Sequence, residues 1–411
     1  MRLQVSRIFL MILSVYVMAI FIPRLYWMVF DEGIRAPFVQ YSSVIDQFIV
    51  MDFNRKDIYT YDEDGNTYTM KESDELLPLF NYRRLAARGI MPDSLKGQPI
   101  KVEEVRKNNF YIRIRPYNVQ PPEIRLYPLL ESKPERGQLA LPENYFRINE
   151  RMEFINAGAN VIQPELTQSF TNALQENGFA FPAKTVAGNP STKKPFDEGY
   201  FIADQKDDLY HVKMIEGKPY VRNTRIPDSI VVKELFISER TLKEFYGVLI
   251  SQNNHLYFIM YDDYRLQKIA SGNYNAHRDN VLILGNLFYR NISIIKDDHI
   301  NVYALNRNYE IIDSYQQSWQ TRYQKKAGVV SRYLFPFTLT LQSDKTRFVD
   351  LYFRFNLQTA LWVNIVFFIV LASWIGYKYN VAWKQMIPHL LITLMTGIFG
   401  FIAALIFSEK S

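Results

Sequence analysis

Three long apolar runs stand apart from a chain whose hydrophobic and polar positions otherwise alternate. The first run covers Ile8–Phe30, and two more, Ala360–Tyr377 and Met386–Phe407, close the chain. A helix needs about 20 apolar residues to cross a bilayer. The pattern therefore predicts three transmembrane α-helices, with a large polar segment between the first and the second.

The charges beside these runs predict their orientation. Arg2 and Arg7 precede the first run, and Lys378 and Lys384 flank the loop between the last two. Because cytoplasmic loops carry an excess of Lys and Arg, the N-terminus and this loop are expected in the cytoplasm. A cleaved signal peptide is the alternative for the first run, but no small-x-small cleavage site closes it. We expect a three-pass protein of the inner (cytoplasmic) membrane with its large domain in the periplasm.

This layout divides the chain into an N-terminal anchor (1–30), a β-rich extracytoplasmic domain (31–357) and a C-terminal helical hairpin (358–411). In the central part the recurring pattern is an apolar strand, a polar turn and a second strand. The first apolar residue after the turn recurs at spacings of 47, 44 and 48 residues in the clearest cases, which are Leu209, Leu256, Ile300 and Phe348. Weaker candidates are Ile58, Phe110 and Met152.

A period of about 40–50 residues with several strands per unit is typical of a β-propeller. The fold class is therefore predicted as mostly β and propeller-like, with up to seven repeats. Another β-sheet arrangement is the alternative, since the chain has no WD or Kelch signature. Helical periodicity predicts two insertions, Ser73–Gly89 and Pro164–Gly178, and the turn-forming residues of 183–195 predict an exposed loop.

The composition excludes several classes of function but does not identify one. Aromatic residues make up 15% of the chain, as suits pleated sheets. The absence of cysteine excludes disulfides, thiolate metal sites and thiol catalysis. The net charge of +6 comes from interspersed Lys and Arg, so a nucleic-acid partner is not expected.

Motifs with known chemistry are absent: there is no Walker loop, no His-Glu-x-x-His and no Gly-x-Ser-x-Gly. Asp62–Asn66 resembles the start of a calcium loop, but Lys71 stands where the bidentate acid is required. A hairpin turn at Gly65 is the simpler interpretation. No catalytic residue and no cofactor is predicted.

The histidines form the one unusual pattern. His255 and His299 directly precede the first apolar residue after the turn, and His211 lies two positions beyond its own. Such positions recur around one rim of a propeller, where a metal or haem site is conceivable. Exposed turn histidines are commoner, so no metal site is predicted and these three are only residual candidates.

Small residues recur every four positions on the C-terminal helices. They are Ala372, Gly376, Thr396, Gly400 and Ala404. Small residues at this spacing let helices approach closely. They serve either packing of the two helices on each other or docking of another membrane protein.

Two local stretches, Tyr82–Asp93 and Lys243–Gly247, and the overall layout carry a resemblance. The chain resembles a family of uncharacterised inner-membrane proteins from Bacteroidota, whose members look like companions of ABC-type transporters. The resemblance implies an integral membrane partner, with an ABC-type permease as the candidate, and it transfers no residue roles.

Three hypotheses follow. The first is a non-enzymatic accessory or scaffold subunit of an envelope complex. The second is a membrane-anchored ligand-binding or sensing protein, although the expected cytoplasmic parts offer no output module. The third is a membrane-tethered propeller enzyme.

Overall fold

The structure consists of two units. The long apolar runs lie in one of them, and most of the alternating segments lie in the other. The computed structural model describes residues 2–54, 57–135, 137–341, 343, 345–378 and 383–407, without the side chains of 2–4, 378 and 383–385. One unit consists of residues 37–317, and the other of residues 1–36 together with 318–411. The segment 318–357, which the sequence analysis assigned to the β domain, belongs to the second unit.

The chain begins with helix α1 (Arg2–Phe30) and enters the β-sheet unit at sheet I. Sheet I is the meander of β1 (Phe38–Tyr41), β2 (Phe48–Asp52), β3 (Tyr59–Tyr61) and β4 (Thr67–Tyr68). The elements that follow are α2 (Met70–Leu76), α3 (Tyr82–Ala87), β5 (Ser94–Leu95), β6 (Gln98–Pro99), α4 (Val102–Asn108) and β7 (Phe110–Ile114).

Three four-stranded antiparallel meanders come next. Sheet II consists of β8 (Tyr127–Pro128), β9 (Asn144–Ile148), β10 (Met152–Asn156) and β11 (Val161–Ile162), and helix α5 (Pro164–Glu176) follows it. Sheet III consists of β12 (Thr185–Gly188), β13 (Tyr200–Ala203), β14 (Leu209–Ile215) and β15 (Lys218–Asn223). Sheet IV consists of β16 (Val232–Ile237), β17 (Phe245–Ser251), β18 (Leu256–Met260) and β19 (Leu266–Ile269).

Sheet V has five strands because β7, from much earlier in the chain, pairs with its first strand. Its other strands are β20 (Asn280–Gly285), β21 (Arg290–Ile295), β22 (His299–Leu305) and β23 (Ile311–Ser318). This long-range pairing fixes the segment between sheets I and II against the end of the unit.

The apolar faces of neighbouring sheets form the core. One cluster joins sheets II and III around Phe146 and Tyr210, and α5 packs on it through Phe170. A second joins sheets III and IV, and a third joins sheets IV and V with β7. Sheets I and V meet through Tyr41 and Tyr289, whose ring centroids are 5.1 Å apart. The sheets therefore pack in the order II, III, IV, V and I.

Five of the seven predicted repeat positions lie at the start of the third strand of a sheet or next to it. Met152, Leu209 and Leu256 each begin the third strand of a sheet, Ile300 is the second residue of such a strand, and Ile58 directly precedes one. Phe110 instead begins β7. The described residues thus form several antiparallel sheets, five of them with four or more strands.

Phe348 departs from the prediction, because it lies outside the named strands. The strand at its predicted hairpin, β24 (Phe337–Thr340), pairs with β25 (Tyr352–Phe355), so that Phe337 opposes Phe355. This hairpin belongs to the second unit.

Two local expectations also need correction. The helix expected over Ser73–Gly89 is divided into α2 and α3, since Pro78 lacks the N–H that a continuous helix needs and disfavours a helical Leu77. The segment 183–195, expected as an exposed loop, contributes β12, the first strand of sheet III. Pairing with the buried strand β13 overrides its turn-rich composition. The helix expected at Pro164–Gly178 is confirmed as α5.

The second unit contains α1, the hairpin β24–β25 and four further helices. These are α6 (Lys326–Leu334), α7 (Leu357–Lys378), α8 (Trp383–Thr396) and α9 (Ile398–Ile406). Val5–Phe30 and Leu357–Tyr377 are long and apolar enough to cross a membrane. Only 17% and 22% of these spans are buried, so their apolar surface is not that of a soluble core.

The third predicted span, Met386–Phe407, is divided. Gly397 has a φ of 56° between α8 and α9, which ends the first of the two helices. The predicted cytoplasmic loop at 379–382 lies outside the described residues, as do the side chains of Lys378 and Lys384.

Candidate functional site

A basic cavity of about 660 Å³ lies within the β-sheet unit, where α3, α4 and β7 meet sheets I and V. Four arginines line it: Arg83, Arg84, Arg106 and Arg240. None of the described lining residues is acidic. The volume is in the range of small-molecule sites, and the charge favours an anion.

Two of these arginines have acidic partners outside the lining. Arg84 Nη2 lies 2.9 Å from Asp74 Oδ1, and Arg106 lies 4.0 Å from Glu103 across an exposed helix turn. Arg83 donates from Nε to the Tyr82 hydroxyl at 3.0 Å. The positive charge at the cavity is therefore only partly offset, chiefly by the buried Asp74.

Arg240 is the most constrained of the four. Its guanidinium lies over the Phe110 ring, with Cζ 5.1 Å from the centroid, and donates from Nη2 to the Tyr111 carbonyl at 2.9 Å. Burial lowers the pKa of Arg240 to about 10, so the side chain stays charged at neutral pH. Its Nε atom is buried and has no hydrogen-bond partner among the described residues.

Three asparagines around the cavity share this deficit. Buried Asn81 Nδ2, Asn109 Oδ1 and Asn291 Oδ1 have no hydrogen-bond partner in the described part of the chain. Asn81 and Asn291 are only 5% and 4% exposed. Since an unpaired buried polar atom costs about 1–3 kcal/mol, four of them around one cavity indicate a place for a polar ligand or water.

The local sequence explains how these atoms remain unpaired. Asn81 precedes α3, but its side chain does not cap the helix and its Oδ1 instead accepts from Arg84 Nη2 at 2.5 Å. Asn109 uses its Nδ2 to donate to the Leu79 carbonyl. Each of these two side-chain amides thus hydrogen-bonds to the protein through one polar atom and leaves its other polar atom unpaired at the cavity.

A buried ion pair supports the back of the cavity. Arg290, which is fully buried, donates from Nη2 to Glu244 Oε2 at 2.5 Å, and its Cζ lies 5.1 Å from the Phe110 centroid. Phe110 therefore contacts both Arg240 and Arg290. Burial opposes ionisation of Glu244, but the hydrogen bonds and charge of Arg290 outweigh it and lower the pKa of Glu244.

A family model described as "Domain of unknown function (DUF4857)" matches residues 38–305. The chain belongs to the DUF4857 family. No curated protein matches it. All the cavity residues fall inside the DUF4857 match, and so do both stretches that carried the resemblance to an uncharacterised family. The source group and the transporter association remain predictions.

Within the DUF4857 domain the three candidate histidines lie in different surroundings. His211 is fully buried and its ring nitrogens contact the Glu198 carbonyl and the Tyr264 hydroxyl at 2.5 and 2.9 Å. His299 contacts Asp298 at 2.6 Å, and His255 lies in the turn before β18. Within the described residues no group of three His, Cys, Asp or Glu side chains could hold a metal ion.

The calcium-like segment forms a hairpin turn in sheet I. Asp62 accepts from Asn66 N at 2.9 Å and from the Tyr68 hydroxyl at 2.6 Å, and Gly65 has a φ of 85°. The Asp62 oxygens are therefore occupied by the turn itself.

Sequence reasoning missed a buried charge network between sheets III and IV. Lys194 Nζ lies 2.6 Å from Asp197 Oδ1 and 2.5 Å from Glu239 Oε1, and all three side chains are at most 3% exposed. Glu198 contacts Lys213 Nζ at 2.8 Å and accepts from the Tyr261 hydroxyl at 3.1 Å. Because these groups satisfy one another, the network joins the sheets and offers no open site.

Sequence reasoning also missed the cavity. Arg83 and Arg84 lay in a stretch that was noted, but only as part of a resemblance. Arg240, Asn109 and Asn291 come from distant segments with no shared local pattern. The adjacent arginines on a short helix were the only available signal.

The small residues of the C-terminal helices occupy different environments. Gly400 and Ala404 are buried on α9, Thr396 and Ala372 are half-buried, and Gly376 is exposed on α7. A Cβ atom on Gly400 would lie 2.7 Å from the Ile392 carbonyl oxygen and 2.4 Å from Thr396 Oγ1. Gly400 therefore lies at a close contact between α9 and α8.

Proposed function

We propose that this DUF4857 protein is a non-enzymatic, membrane-anchored binding subunit whose β-sheet unit holds a small anionic ligand in the basic cavity. The observation that carries the proposal is the half-buried, charged Arg240, whose buried Nε is unpaired among the described residues, together with three asparagines at the same cavity that have unpaired amide atoms. A binding site is favoured over a catalytic one because no Ser, Thr, Cys, Lys, His, Asp or Glu side chain lines the cavity among the described residues.

The unpaired atoms indicate the class of ligand. Arg240 Nε and Asn81 Nδ2 are donors suited to a carboxylate or phosphate, whereas Asn109 Oδ1 and Asn291 Oδ1 require a donor such as a hydroxyl. Phe80, which also lines the cavity, offers a ring face. An acidic sugar or sugar phosphate combines these features in a volume of this size.

The wider architecture is part of the proposal. Five sheets that pack in the order II, III, IV, V and I, with β7 pairing into sheet V, support a propeller-like arrangement of five blades. We propose a three-pass protein of an inner membrane with the β-sheet unit on the periplasmic side. In this role the chain serves as an accessory subunit of an envelope complex, alongside an ABC-type permease.

The proposal is tested by isothermal titration calorimetry, which measures ligand binding to the full chain in detergent. The ligands are galacturonate, glucose 6-phosphate and, as the uncharged comparison, glucose. We expect the anions to bind and glucose to bind much more weakly. Arg240→Gln should weaken anion binding about tenfold or more, because a charge-assisted hydrogen bond contributes about 1.5–3 kcal/mol.

Two matched variants complete the test. Arg125→Gln removes the same charge from an exposed position outside the cavity and should leave binding unchanged. Arg240→Lys keeps the charge but loses the planar fork, and should give an intermediate affinity. Wild-type affinity in Arg240→Gln, or no preference for the anions over glucose, would contradict the proposal.

A further inference from the structure

A second basic cavity, of about 810 Å³, lies entirely within the helical unit. It is formed by the C-terminal part of α1, by α6 with the residues before it, and by the hairpin β24–β25. Four arginines line it: Arg24, Arg322, Arg332 and Arg354. Asp31 is the one acidic residue among its described lining. An anion is therefore the favoured occupant.

Aromatic rings hold two of these arginines in place. Arg322 Cζ lies 4.2 Å from the Trp27 centroid, and Arg354 Cζ lies 3.5 Å from the Tyr323 centroid. A guanidinium stacked on a ring keeps its N–H groups at the edge free for an acceptor. Arg322 also lies 3.5 Å from Asp31, which offsets one charge only.

Two donors at this cavity have no acceptor in the part of the chain that the structure describes. The Nε atoms of Arg322 and Arg332 are buried and unpaired within the described residues. They belong to different elements, since Arg332 lies on α6 and Arg322 precedes it. Donors that converge from separate segments, with stacked guanidiniums beside them, match the several oxygens of a phosphate group.

The position of the cavity along the helices identifies the source of that phosphate. Trp27 lies in the last turn of α1, which ends at Phe30, and Arg354 lies three residues before α7 begins at Leu357. The cavity therefore lies where both apolar spans end. Lipid phosphates and interfacial Trp residues occupy this level of a bilayer.

Exposed apolar residues continue on α1, which lines the cavity, and on α7, which begins directly after the lining residue Asn356. Leu25 and Met28 on α1 are 58% and 76% exposed, and Leu361 and Trp362 on α7 are 50% and 71% exposed. A free phosphate would use none of this surface, whereas the acyl chains of a lipid would cover it.

We propose that this cavity binds the phosphate headgroup of an anionic phospholipid and fixes the helical unit at the membrane surface. The inference rests on the proposed membrane location, but not on the ligand of the other cavity. Basic side chains clustered next to a membrane-spanning helix are a known way to recognise an anionic headgroup.

The test uses the delipidated full chain in detergent, with mixed micelles of phosphatidylglycerol or phosphatidylcholine, and counts bound lipid by native mass spectrometry. We expect phosphatidylglycerol to bind more tightly. The double variant Arg322→Gln/Arg332→Gln should weaken its binding by about fivefold per arginine, as expected for a basic side chain near an anionic surface.

Lys326→Gln is the matched control, because Lys326 is an exposed cation on α6 outside the cavity. It should bind phosphatidylglycerol as the wild type does. Arg354→Gln, at an exposed side chain, gives a second measurement in case the double variant does not fold, and should lose about fivefold.

Equal binding of the two lipids, or unchanged binding in the arginine variants, would overturn the inference. Competition by inorganic phosphate at an equal phosphate concentration would assign the site to a soluble anion and would overturn it as well. Extraction of membranes with alkaline carbonate is a separate readout: release of the wild-type chain would contradict the proposed membrane anchoring itself.

Discussion

Arg290, Lys194 and His211 are almost completely shielded from solvent, and each contacts a residue of a neighbouring sheet. Arg290 in sheet V pairs with Glu244 beside sheet IV, and Lys194 beside sheet III pairs with Glu239 beside sheet IV. A buried charge whose partner is removed costs about 3–5 kcal/mol. These side chains therefore make the packing of the sheets specific.

His211 differs because it is held neutral. The Glu198 carbonyl can only accept, so the ring donates from Nε2 to it, and Nδ1 accepts from the Tyr264 hydroxyl. Burial lowers the pKa of His211 to about 3, well below the ordinary value of 6.5. The unfolded chain takes up a proton near pH 6.5 that the folded chain takes up only near pH 3.

We therefore predict that His211 makes the β-sheet unit less stable as the pH falls from about 6.5 towards 3. One proton changes the free energy of unfolding by at most about 1.4 kcal/mol per pH unit. The measurement is hydrogen–deuterium exchange of the β14 amides across this range, corrected for intrinsic exchange rates. His211→Gln should lower stability at neutral pH but flatten the pH dependence by one proton.

His299→Gln is the control, since His299 is partly exposed and bonded only to the neighbouring Asp298 in the described contacts. It should keep the full slope of the wild type. An identical slope in His211→Gln and the wild type would show that another group takes up the proton.

Helix α8 ends at a single residue whose backbone is not helical. The third apolar run is interrupted at Gly397, and the break leaves carbonyl groups at the end of α8. Asn364 on α7 donates from Nδ2 to the Leu394 carbonyl at 3.2 Å, and is only 3% exposed. A side chain of a neighbouring helix thus satisfies one carbonyl group of the interrupted backbone.

The close packing of α9 on α8 gives an element-scale prediction. Gly400→Leu should destabilise the helical unit by about 1–3 kcal/mol, because the added side chain overpacks a buried contact. The measurement is thermal unfolding of the full chain in detergent, followed by tryptophan fluorescence. The five tryptophans, Trp27, Trp319, Trp362, Trp374 and Trp383, all belong to this unit.

Gly376→Leu is the matched control, since Gly376 is exposed on α7. It should unfold at the temperature of the wild type. A similar loss of stability in both variants would contradict the prediction, because the loss would then not come from overpacking of the buried contact at Gly400.

At the scale of the whole molecule, the helical unit and the β-sheet unit offer different surfaces. The DUF4857 match covers residues 38–305, so the apolar helices lie outside it. This division suits an accessory subunit that anchors through one unit and binds a ligand through the other.

The accessory role predicts a membrane partner that copurifies with the full chain. Mild-detergent affinity purification, followed by mass spectrometry, should recover a permease and its ATPase in stoichiometric amounts. Gly376→Leu should lower that recovery at least severalfold, because a bulky residue on a small-residue helix face blocks close approach.

Gly400→Leu is unsuited to this test because it also disturbs the packing of α9. A change in the cavity of the β-sheet unit, Arg240→Gln, should leave the copurification unchanged and so separates partner docking from ligand binding. Recovery of the wild-type chain alone would contradict the accessory role without touching the anion site.

Features that arise from local periodicity could be predicted from the amino-acid sequence alone. The strand–turn–strand pattern placed Met152, Leu209 and Leu256 at the starts of strands, and the 3.6-residue period of Pro164–Gly178 located α5. The sequence also predicted two helices of membrane-spanning length. Hydrophobic burial requires such patterns wherever the element forms, so they can be recognised without the fold.

Features that depend on contacts between distant segments could be recognised only in the folded chain. Pairing of β7 with β20 joined residues 110–114 to 281–285, and this contact brings Asn109 and Phe110 to Arg240 and Asn291. Lys194 is buried through its contact with Glu239 beside sheet IV, and β12 forms by pairing with β13, both against a loop-like composition. No local pattern encodes such contacts, because a buried polar group is stabilised by partners that the chain brings close only when it folds.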